Sequence, residues 1–242
     1  MSARLITLLA LSAILIFAST VQALAPFGPP VSDLKQGQFS LSAGYDYSES
    51  EFKGSNRDKD VIVDGVRSNS LTVRPGYGIA DDWKIYGLVG ASDYHENSFN
   101  DGFQTAYGFG TKVTVDKFEK VSWGFLFQVG YKNNSDGSTK DVNGTTSFEG
   151  KIDYYDVTLA IGPSYNFSEK LRLYGGPFLY ILKGHLHYDS ADTHETFILE
   201  QKATVGGYFG LEYDLCSNSS WFGEYHVLGD GWTFATGINW KF

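Results

Sequence analysis

The stretch that decides the fold is the last one, GWTFATGINWKF at residues 231–242. Its odd positions carry small or polar side chains, whereas its even positions, Thr236 apart, carry large apolar ones: Trp232, Phe234, Ile238, Trp240 and Phe242. A period of two residues is typical of a β-strand, because successive side chains point to opposite faces. The stretch therefore predicts a terminal strand with one apolar face and one small, polar face.

The same alternation recurs along the chain and predicts about ten strands, with eight or twelve as the alternatives. Residues 121–133 and 199–215 show it most clearly after the terminal stretch. The approximate spans that we expect are 37–48, 66–80, 83–94, 102–116, 121–133, 151–167, 170–187, 199–215, 220–228 and 231–242. We predict an all-β fold, an antiparallel up-and-down transmembrane β-barrel.

The connections between the predicted strands alternate in length. Short ones fall at 81–82, 116–120, 168–169 and 216–219, and long polar ones at 49–65, 95–101, 134–150 and 188–198. The last connection, at 229–230, is short and breaks the pattern. Long polar loops at one end and tight turns at the other are typical of outer-membrane barrels. An even number of strands also places both ends of the barrel chain at the tight-turn end.

Composition excludes several classes of protein. The 242 residues are 42% hydrophobic and 16% aromatic, which is far from a disordered chain. The net charge of -9 argues against a nucleic-acid partner, because phosphate binding needs a basic surface. The single cysteine rules out a disulfide framework and a cysteine-based zinc site.

The first residues predict export from the cytoplasm. Arg4 precedes a short apolar run at 5–17, and small residues follow at Ala23 and Ala25. We expect residues 1–23 to be a signal peptide cleaved after Ala23, because cleavage after Ala25 would leave Pro26 directly after the cut. Residues 24–36 would then form a short periplasmic segment, and residues 37–242 the barrel domain.

Alternation alone does not say which face of the strands is buried. A soluble lipocalin-like barrel would turn the apolar face inward around a ligand. Here the polar face carries many glycines and charges of both signs, and aromatic residues mark the tight-turn ends of the apolar face: Trp83, Tyr165, Phe167, Tyr213, Trp240 and Phe242. Aromatic girdles lie at the membrane interfaces of membrane barrels. We therefore expect the apolar face to contact lipid.

The inward face decides whether the barrel conducts. Barrels of about eight strands are filled by side chains, and larger ones leave an aqueous channel. Charges of both signs favour an internal lattice of ion pairs, although the many inward glycines leave a narrow path as the alternative. The expected lumen-lining charged residues are Arg74, Lys112, Asp156, Arg172, Lys202, Glu212 and Glu224.

Three prolines fall inside predicted strands, where a missing N–H interrupts the hydrogen-bond ladder. Pro75, Pro163 and Pro177 all lie in the outward phase beside an inward glycine. We favour bulges or kinks that tighten the curvature of the wall. A laterally open wall is the alternative.

Two groups of polar residues are candidates for chemistry. His185 and His187 share a face with His194 and Glu195 following, but the spacing fixes no third metal ligand. Glu224 and His226 share the inward face and form a candidate acid/base pair with no positioned nucleophile beside it. We expect no cofactor, no metal site and no enzymatic activity.

The C-terminus resembles the sorting signal of bacterial outer-membrane barrels. Gly237, Trp240 and Phe242 match its glycine and alternating aromatics, whereas Ala235 stands where a polar residue is usual. The chain is therefore similar to the small outer-membrane β-barrels, the porin-family or outer-membrane-protein-A-like barrels. The resemblance implies insertion by the barrel assembly machinery into the outer membrane of a Gram-negative bacterium. It names no substrate.

Three functions remain open from the sequence. The first is a monomeric, largely filled barrel with a structural or surface-contact role, in contact with lipid and lipopolysaccharide. The second is a passive, porin-like pore for small solutes. The third is an outer-membrane enzyme with an active site at the rim.

Overall fold

The computed structural model describes residues 26–56, 59–96, 99–140, 147–190, 193–229 and 231–242, some of them near the hairpin ends by their backbone alone. The predicted signal peptide lies outside the described residues. Ten antiparallel strands form a closed barrel, which confirms the predicted fold class and strand number. The strands are β1 (Phe39–Asn56), β2 (Lys59–Ala80), β3 (Trp83–Glu96), β4 (Phe99–Lys117), β5 (Val121–Lys140), β6 (Ser147–Asn166), β7 (Leu171–Ser190), β8 (Thr193–Cys216), β9 (Ser219–Leu228) and β10 (Gly231–Lys241).

The order of the strands around the barrel is their order along the chain, so the topology is up-and-down. The terminal strand closes the ring by pairing with β1 over ten consecutive residue pairs, from Ser40 with Lys241 to Glu49 with Trp232. Each strand in the ring therefore has a neighbouring strand on both sides, which removes the usual hazard of an exposed edge strand. No helix long and apolar enough to cross a membrane occurs among the described residues.

The predicted long loops are wrong, because the strands continue through most of them. The β1–β2 ladder continues to the pair Asn56 with Lys59, and the β7–β8 ladder to the pair Ser190 with Thr193. Side-chain alternation marks only the part of a strand with one apolar face. A hairpin that is exposed to solvent on both faces keeps its ladder of backbone hydrogen bonds, but its side chains need not alternate between apolar and polar. The sequence pattern therefore predicted where the apolar band ends and not where the strands end.

The β9–β10 hairpin is much shorter than its neighbours, with strands of 10 and 11 residues. Beyond its turn β1 pairs directly with β8, at Gly54 with Leu199 and Ser55 with Ile198. The ring of strands therefore closes at this level without β9 and β10.

The prolines interrupt two ladders, one at the β2–β3 boundary and one at the β6–β7 boundary. The β2–β3 pairing stops after Val73 and resumes at Gly76, with Pro75 between them. Pro75 still pairs with Leu41 on its other side. Since proline has no N–H, each such residue weakens one ladder and spares the other.

At the β6–β7 boundary the interruption contains both Pro163 and Pro177. The two backbones nevertheless remain in close contact, because a Cβ added to Gly162 would lie 1.9 Å from the carbonyl oxygen of Gly175. Glycine allows this approach, which any larger residue would prevent. The geometry is that of a kink, with no lateral opening between these strands.

The outer face of the barrel is apolar. Large apolar side chains are exposed on every side of it, among them Phe39, Leu71, Ile85, Val89, Phe109, Ile161, Val205 and Phe209. The inner positions of the same strands are buried and mostly polar. A lipocalin-like barrel would show the reverse, so that alternative is wrong.

Two tryptophans on the outer face are hydrogen-bonded to threonines of the neighbouring strands. The indole N–H of Trp83 donates to the hydroxyl of Thr111 at 2.8 Å, and that hydroxyl donates to the carbonyl of Lys84 at 2.8 Å. Trp221 and Thr236 repeat the arrangement at 2.9 Å, with the hydroxyl donating to the carbonyl of the residue after the tryptophan. Such pairing matters on a surface that faces hydrocarbon, where a lone polar group has no water to bind.

Candidate functional site: the barrel lumen

The chain before β1 lies inside the barrel. Residues 26–32 are all buried, and Phe27 has no exposed surface. We call residues 26–36 the lumen segment. The segment begins beside Gly44, whose added Cβ would lie 3.2 Å from Cγ of Pro26. It reaches the tight-turn rim at Leu34, whose carbonyl accepts a hydrogen bond from the N–H of Asp82 at 2.9 Å.

We expect a short periplasmic segment at residues 24–36, and the structure instead places residues 26–34, within its described part, between the barrel lumen and the tight-turn rim. The physical reason lies in the backbone of the lumen segment. Pro26, Pro29 and Pro30 have no N–H to satisfy away from water. The first two N–H groups, those of Phe27 and Gly28, both donate to the carboxylate of Glu224, at 2.5 and 2.8 Å.

Two cations of the wall bind the carbonyl groups of the segment. Arg74 Nη1 donates to the carbonyls of Pro26 and Phe27. Lys112 Nζ donates to the carbonyls of Phe27 and Pro29, the latter at 2.7 Å. Hydrogen bonds to charged groups are stronger than neutral ones, each worth about 1.5–3 kcal/mol. Together with the carboxylate of Glu224, these two cations hold the backbone of the segment.

The ring of Phe27 fills an aromatic pocket in the wall. It stacks on the imidazole of His226 with ring centroids 4.3 Å apart. It meets Phe178 and Tyr208 edge to face, at 5.5 and 5.4 Å. Edge-to-face and offset pairs of this kind add about 0.5–1.5 kcal/mol each to the burial of the ring. The aromatic pocket anchors the segment near the middle of the barrel.

Beneath this ring lies the candidate acid/base pair, Glu224 and His226, and both side chains already contact the lumen segment. Glu224 Oε1 lies 3.2 Å from His226 Nε2, and Tyr174 donates to Glu224 Oε2 at 3.0 Å. Phe27 stacks on the imidazole and its N–H binds the carboxylate. The pair therefore contacts the lumen segment at the place where a substrate would have to bind.

A second set of contacts holds the segment at the tight-turn rim. Thr114 Oγ1 donates to the carbonyl of Ser32 at 2.6 Å and accepts from its N–H at 3.0 Å. The carboxylate of Asp33 forms ion pairs with Lys241 and Arg172. Burial tends to raise the pKa of Asp33, but these cations, Lys241 first, prevail and lower it to about 2.

Inward glycines provide the space for the segment. A Cβ added to Gly124 would lie 2.5 Å from the carbonyl carbon of Pro30, and one added to Gly78 would lie 2.2 Å from the carbonyl oxygen of Lys35. Real side chains do not approach backbone so closely. Three of the inward glycines, Gly44, Gly78 and Gly124, therefore lie directly against the segment.

The other predicted lumen residues occupy two further places. Glu212 and Arg172 lie 3.3 Å apart near the tight-turn rim, and Glu212 also accepts from Ser220 at 2.6 Å. Asp156 is buried on β6, beside Gly130. The side chain of Lys202 lies outside the described residues.

Little free space remains between the segment and the wall. A cavity of about 30 Å³ lies towards the rim, lined by Pro29, Asp33, Lys84, Tyr86 and Arg172 among others. A volume of this size holds about one or two water molecules. At this place the segment and the wall therefore leave little free space.

Of the four candidate metal ligands, the structure describes the side chain of His185 alone. His185 is exposed and pairs with Asp153 at 3.6 Å. The side chains of His187, His194 and Glu195 lie outside the described residues. Within the described part of the chain no group of three histidine, cysteine or acidic residues is arranged to hold a metal ion.

The candidate sorting-signal residues lie at the tight-turn end of the closing strand. Gly237 is packed against β1 and Phe222, with no room for a Cβ, and Trp240 is half-buried. Phe242 is 73% exposed, and its N–H donates to the carbonyl of Phe39 at 2.9 Å. The structure therefore presents the terminal aromatic ring on the surface of the barrel.

Comparisons with solved structures give the same fold. The chain superposes on the outer-membrane protease OmpT from Escherichia coli with a TM-score of 0.54 at 9% identity, covering 90% of this chain and 99% of that one. It superposes on the translocator domain of autotransporter NalP from Neisseria meningitidis with a TM-score of 0.51 at 14% identity, covering 86% and 90%. No protein-family model matches the sequence, and no curated protein matches it significantly. At these identities the likeness shows the fold alone.

Proposed function

Because this chain has the fold of the bacterial outer-membrane β-barrels, we propose that it is an integral outer-membrane protein whose lumen is closed by its own lumen segment. Its role is structural or one of surface contact. The protein does not pass solutes in its resting state.

The membrane location is supported by the chemistry of the outer face. Exposed apolar residues surround the barrel, with Trp83, Tyr165 and Tyr213 near the tight turns. Burial in lipid removes this apolar surface from water, at about 25 cal/mol per Å². Barrel assembly machinery during biogenesis, contact with lipopolysaccharide and a monomeric state belong to the same proposal.

One observation supports the proposed closure of the lumen. The carboxylate of Glu224 and the cations of Arg74 and Lys112 are all hydrogen-bonded to the backbone of residues 26–29. An ion-selective pathway would instead leave such charges free to meet passing ions. Here they are engaged, and the aromatic ring of Phe27 fills the space between them.

Conductance in planar bilayers tests the proposal. The mature protein, checked for folding by its heat-modifiable migration on a gel, is expected to give no discrete conductance steps. A variant that lacks residues 26–32 is expected to fold and to conduct. The control is Lys117→Ala, which removes an exposed rim cation and is expected to stay silent. Discrete steps from the unaltered protein would overturn the closure.

A passive small-solute pore is the second candidate function. Only non-covalent contacts hold the lumen segment, and its departure would leave Arg74, Lys112 and Glu224 lining an open path. Conductance that appears reversibly in the unaltered protein under applied voltage, with ion selectivity altered in Lys112→Ala, would favour this function over permanent closure.

An enzymatic function has weaker support. One similar fold, OmpT, is described as a protease. In this chain the pair of Glu224 and His226 is covered by Phe27, and we expect no hydrolysis of peptides or lipid esters. Activity that is lost in His226→Ala but retained in the exposed-site control His185→Ala would revive the enzymatic alternative.

A further inference from the structure

The small cavity between the lumen segment and the wall is strongly cationic. Its volume is about 30 Å³, and five cationic side chains and two carboxylates line it. The cations are Arg74, Lys84, Lys112, Arg172 and Lys241, and the carboxylates are Asp33 and Glu212. Positive charge is therefore in excess among the side chains around this cavity.

Both of the lining carboxylates are already paired. Asp33 forms ion pairs with Lys241 and Arg172. Glu212 lies 3.3 Å from Arg172. A third carboxylate, that of Glu224, binds N–H groups of the lumen segment and does not line the cavity. The pairs near the rim thus leave the three cations of β2, β3 and β4 without a carboxylate in this cavity.

Lys84 is the cation of this set that has no partner within the described part of the chain. Arg74 and Lys112 donate to carbonyls of the lumen segment. Asp33 and Glu212 act on the ammonium group of Lys84 only through space, with no ion pair or hydrogen bond to it. Lys112 lies directly opposite Lys84 in the β3–β4 register. Like charges in this position repel each other and destabilise a sheet, and an anion between them removes that cost.

Two hydroxyl groups on β1 line the same cavity as Lys84. Ser40 and Ser42 are only 8% and 5% exposed. Among the described residues neither hydroxyl has a hydrogen-bond partner. A buried hydroxyl without a partner is costly, so each calls for an acceptor in the cavity. The cavity therefore presents one ammonium group and two O–H donors that its described lining does not satisfy.

The size of the cavity restricts the ligand. A volume of about 30 Å³ holds one or two water molecules. A halide ion is similar in size to a single water molecule, whereas phosphate and sulfate are several times larger. A halide is also an acceptor without any proton to donate, which suits a site made of donors. Chloride therefore fits both the charge and the size of the cavity.

We propose that this cavity is a chloride site, in which the ion accepts from the ammonium group of Lys84 and from the hydroxyls of Ser40 and Ser42. The ion offsets the repulsion between Lys84 and Lys112. It also stabilises the packing of the lumen segment on the wall, because Pro29 of the segment lines the same cavity. The inference goes beyond the proposed closure, since the site does not depend on whether the barrel conducts.

The test measures the stability of the refolded mature protein at different chloride concentrations. Urea unfolding is followed in about 1 mM and about 100 mM sodium chloride, with sodium gluconate keeping the ionic strength constant. A ligand that binds only the folded state lowers the unfolding equilibrium constant. We expect that constant to fall by about tenfold over this range, as for a site with a dissociation constant of about 10 mM. Bromide should replace chloride, and sulfate at equal ionic strength should not.

Lys84→Met keeps the length of the side chain and removes its charge. It is expected to abolish the chloride dependence and to be more stable than the unaltered protein in gluconate alone, because the repulsion with Lys112 is gone. The matched control is Lys170→Met, which removes an exposed cation from the turn between β6 and β7 and should keep the full dependence. Ser42→Ala retains every charge and should need about threefold more chloride for the same effect. It decides the matter if Lys84→Met does not fold.

Three results would overturn the proposal: equal stability in chloride and gluconate, a chloride dependence that survives unchanged in both Lys84→Met and Ser42→Ala, or a larger effect of sulfate than of chloride. The first result would leave only water in the cavity. Conductance is scored separately. A conducting barrel that still responds to chloride would contradict the proposed closure and support the chloride site, and a silent barrel without a response would do the opposite.

Discussion

Phe27 stacks on His226 with ring centroids 4.3 Å apart and an interplanar angle of 29°, and both side chains are buried within the barrel. The contact joins a residue outside the sheet to the wall of the lumen. It explains why a histidine lies at an inward position of β9, where its apolar ring face packs against the segment and its Nε2 approaches Glu224.

Phe27→Ala is expected to lower the free energy of unfolding by about 4 kcal/mol, because it leaves a cavity between His226, Phe178 and Tyr208. Phe27→Leu keeps most of the apolar volume and should cost about 1.5 kcal/mol or less. Urea unfolding of the refolded protein in lipid vesicles measures both. Equal costs for the two variants would show that the aromatic pocket contributes no packing of its own.

Glu224→Gln is expected to destabilise the protein by about 3 kcal/mol. The glutamine keeps one acceptor oxygen, but its amide group would face the N–H groups that the carboxylate now binds. The same urea titration measures the loss. Glu119→Gln, in the exposed turn between β4 and β5, serves as the control and should change stability by less than about 0.5 kcal/mol.

Gly162→Ala is expected to prevent assembly of the barrel, because the new Cβ would lie 1.9 Å from the carbonyl oxygen of Gly175. Gly87→Ala is the matched control, since the nearest atom to its added Cβ is Cγ of Pro75 at 3.9 Å. Heat-modifiable migration and the amount recovered in the outer membrane distinguish the two. Normal assembly of Gly162→Ala would mean that the β6–β7 backbones are further apart than described.

Asp33 makes stability depend on pH at the acidic end. Its pKa in the folded protein, about 2, is below its usual value of 3.8, so the folded state favours the charged form. The stabilisation is therefore present above about pH 4 and is lost as the pH falls from about 4 towards 2. Urea titrations at pH 5, 4, 3 and 2 should show stability differences between the unaltered protein and Asp33→Asn that shrink over this interval. A constant difference would contradict the ion pair with Lys241.

Chemical labelling of the single cysteine tests the orientation of the barrel in the membrane. Cys216 is exposed at the end of β8, beside the tight turn that leads to β9. A membrane-impermeant maleimide is expected to label it only after the outer membrane is permeabilised. The control is Gly144→Cys in a Cys216→Ser background, placed in the connection between β5 and β6, which should react in intact cells. Labelling of Cys216 in intact cells would show that the barrel has the opposite orientation in the membrane.

The alternation of residues predicted the strands, their number and which side chains share a face, and the glycines, charges and aromatic residues on the two faces predicted that the apolar face points outward. These are local properties, because the pleat of a strand sends neighbouring side chains to opposite faces regardless of what lies further away. The charges at Arg74, Lys112 and Glu224 were placed on the inward face for the same reason. The ends of the hairpins were not predicted, because strands that are exposed to solvent on both faces need no alternation of apolar and polar residues.

The sequence by itself thus determined a closed barrel with a polar interior, and it carried an unused signal in APFGPP at residues 25–30, which is uncharged and poor in N–H donors. Only the tertiary structure decided what the interior holds. The contact between Phe27 and Glu224 joins residues 197 positions apart, and no local pattern records such a pairing. A segment with few backbone donors can be buried where a carboxylate and two cations bind its remaining polar groups. Only closure of the barrel brings those three charges around the same four residues, 26–29.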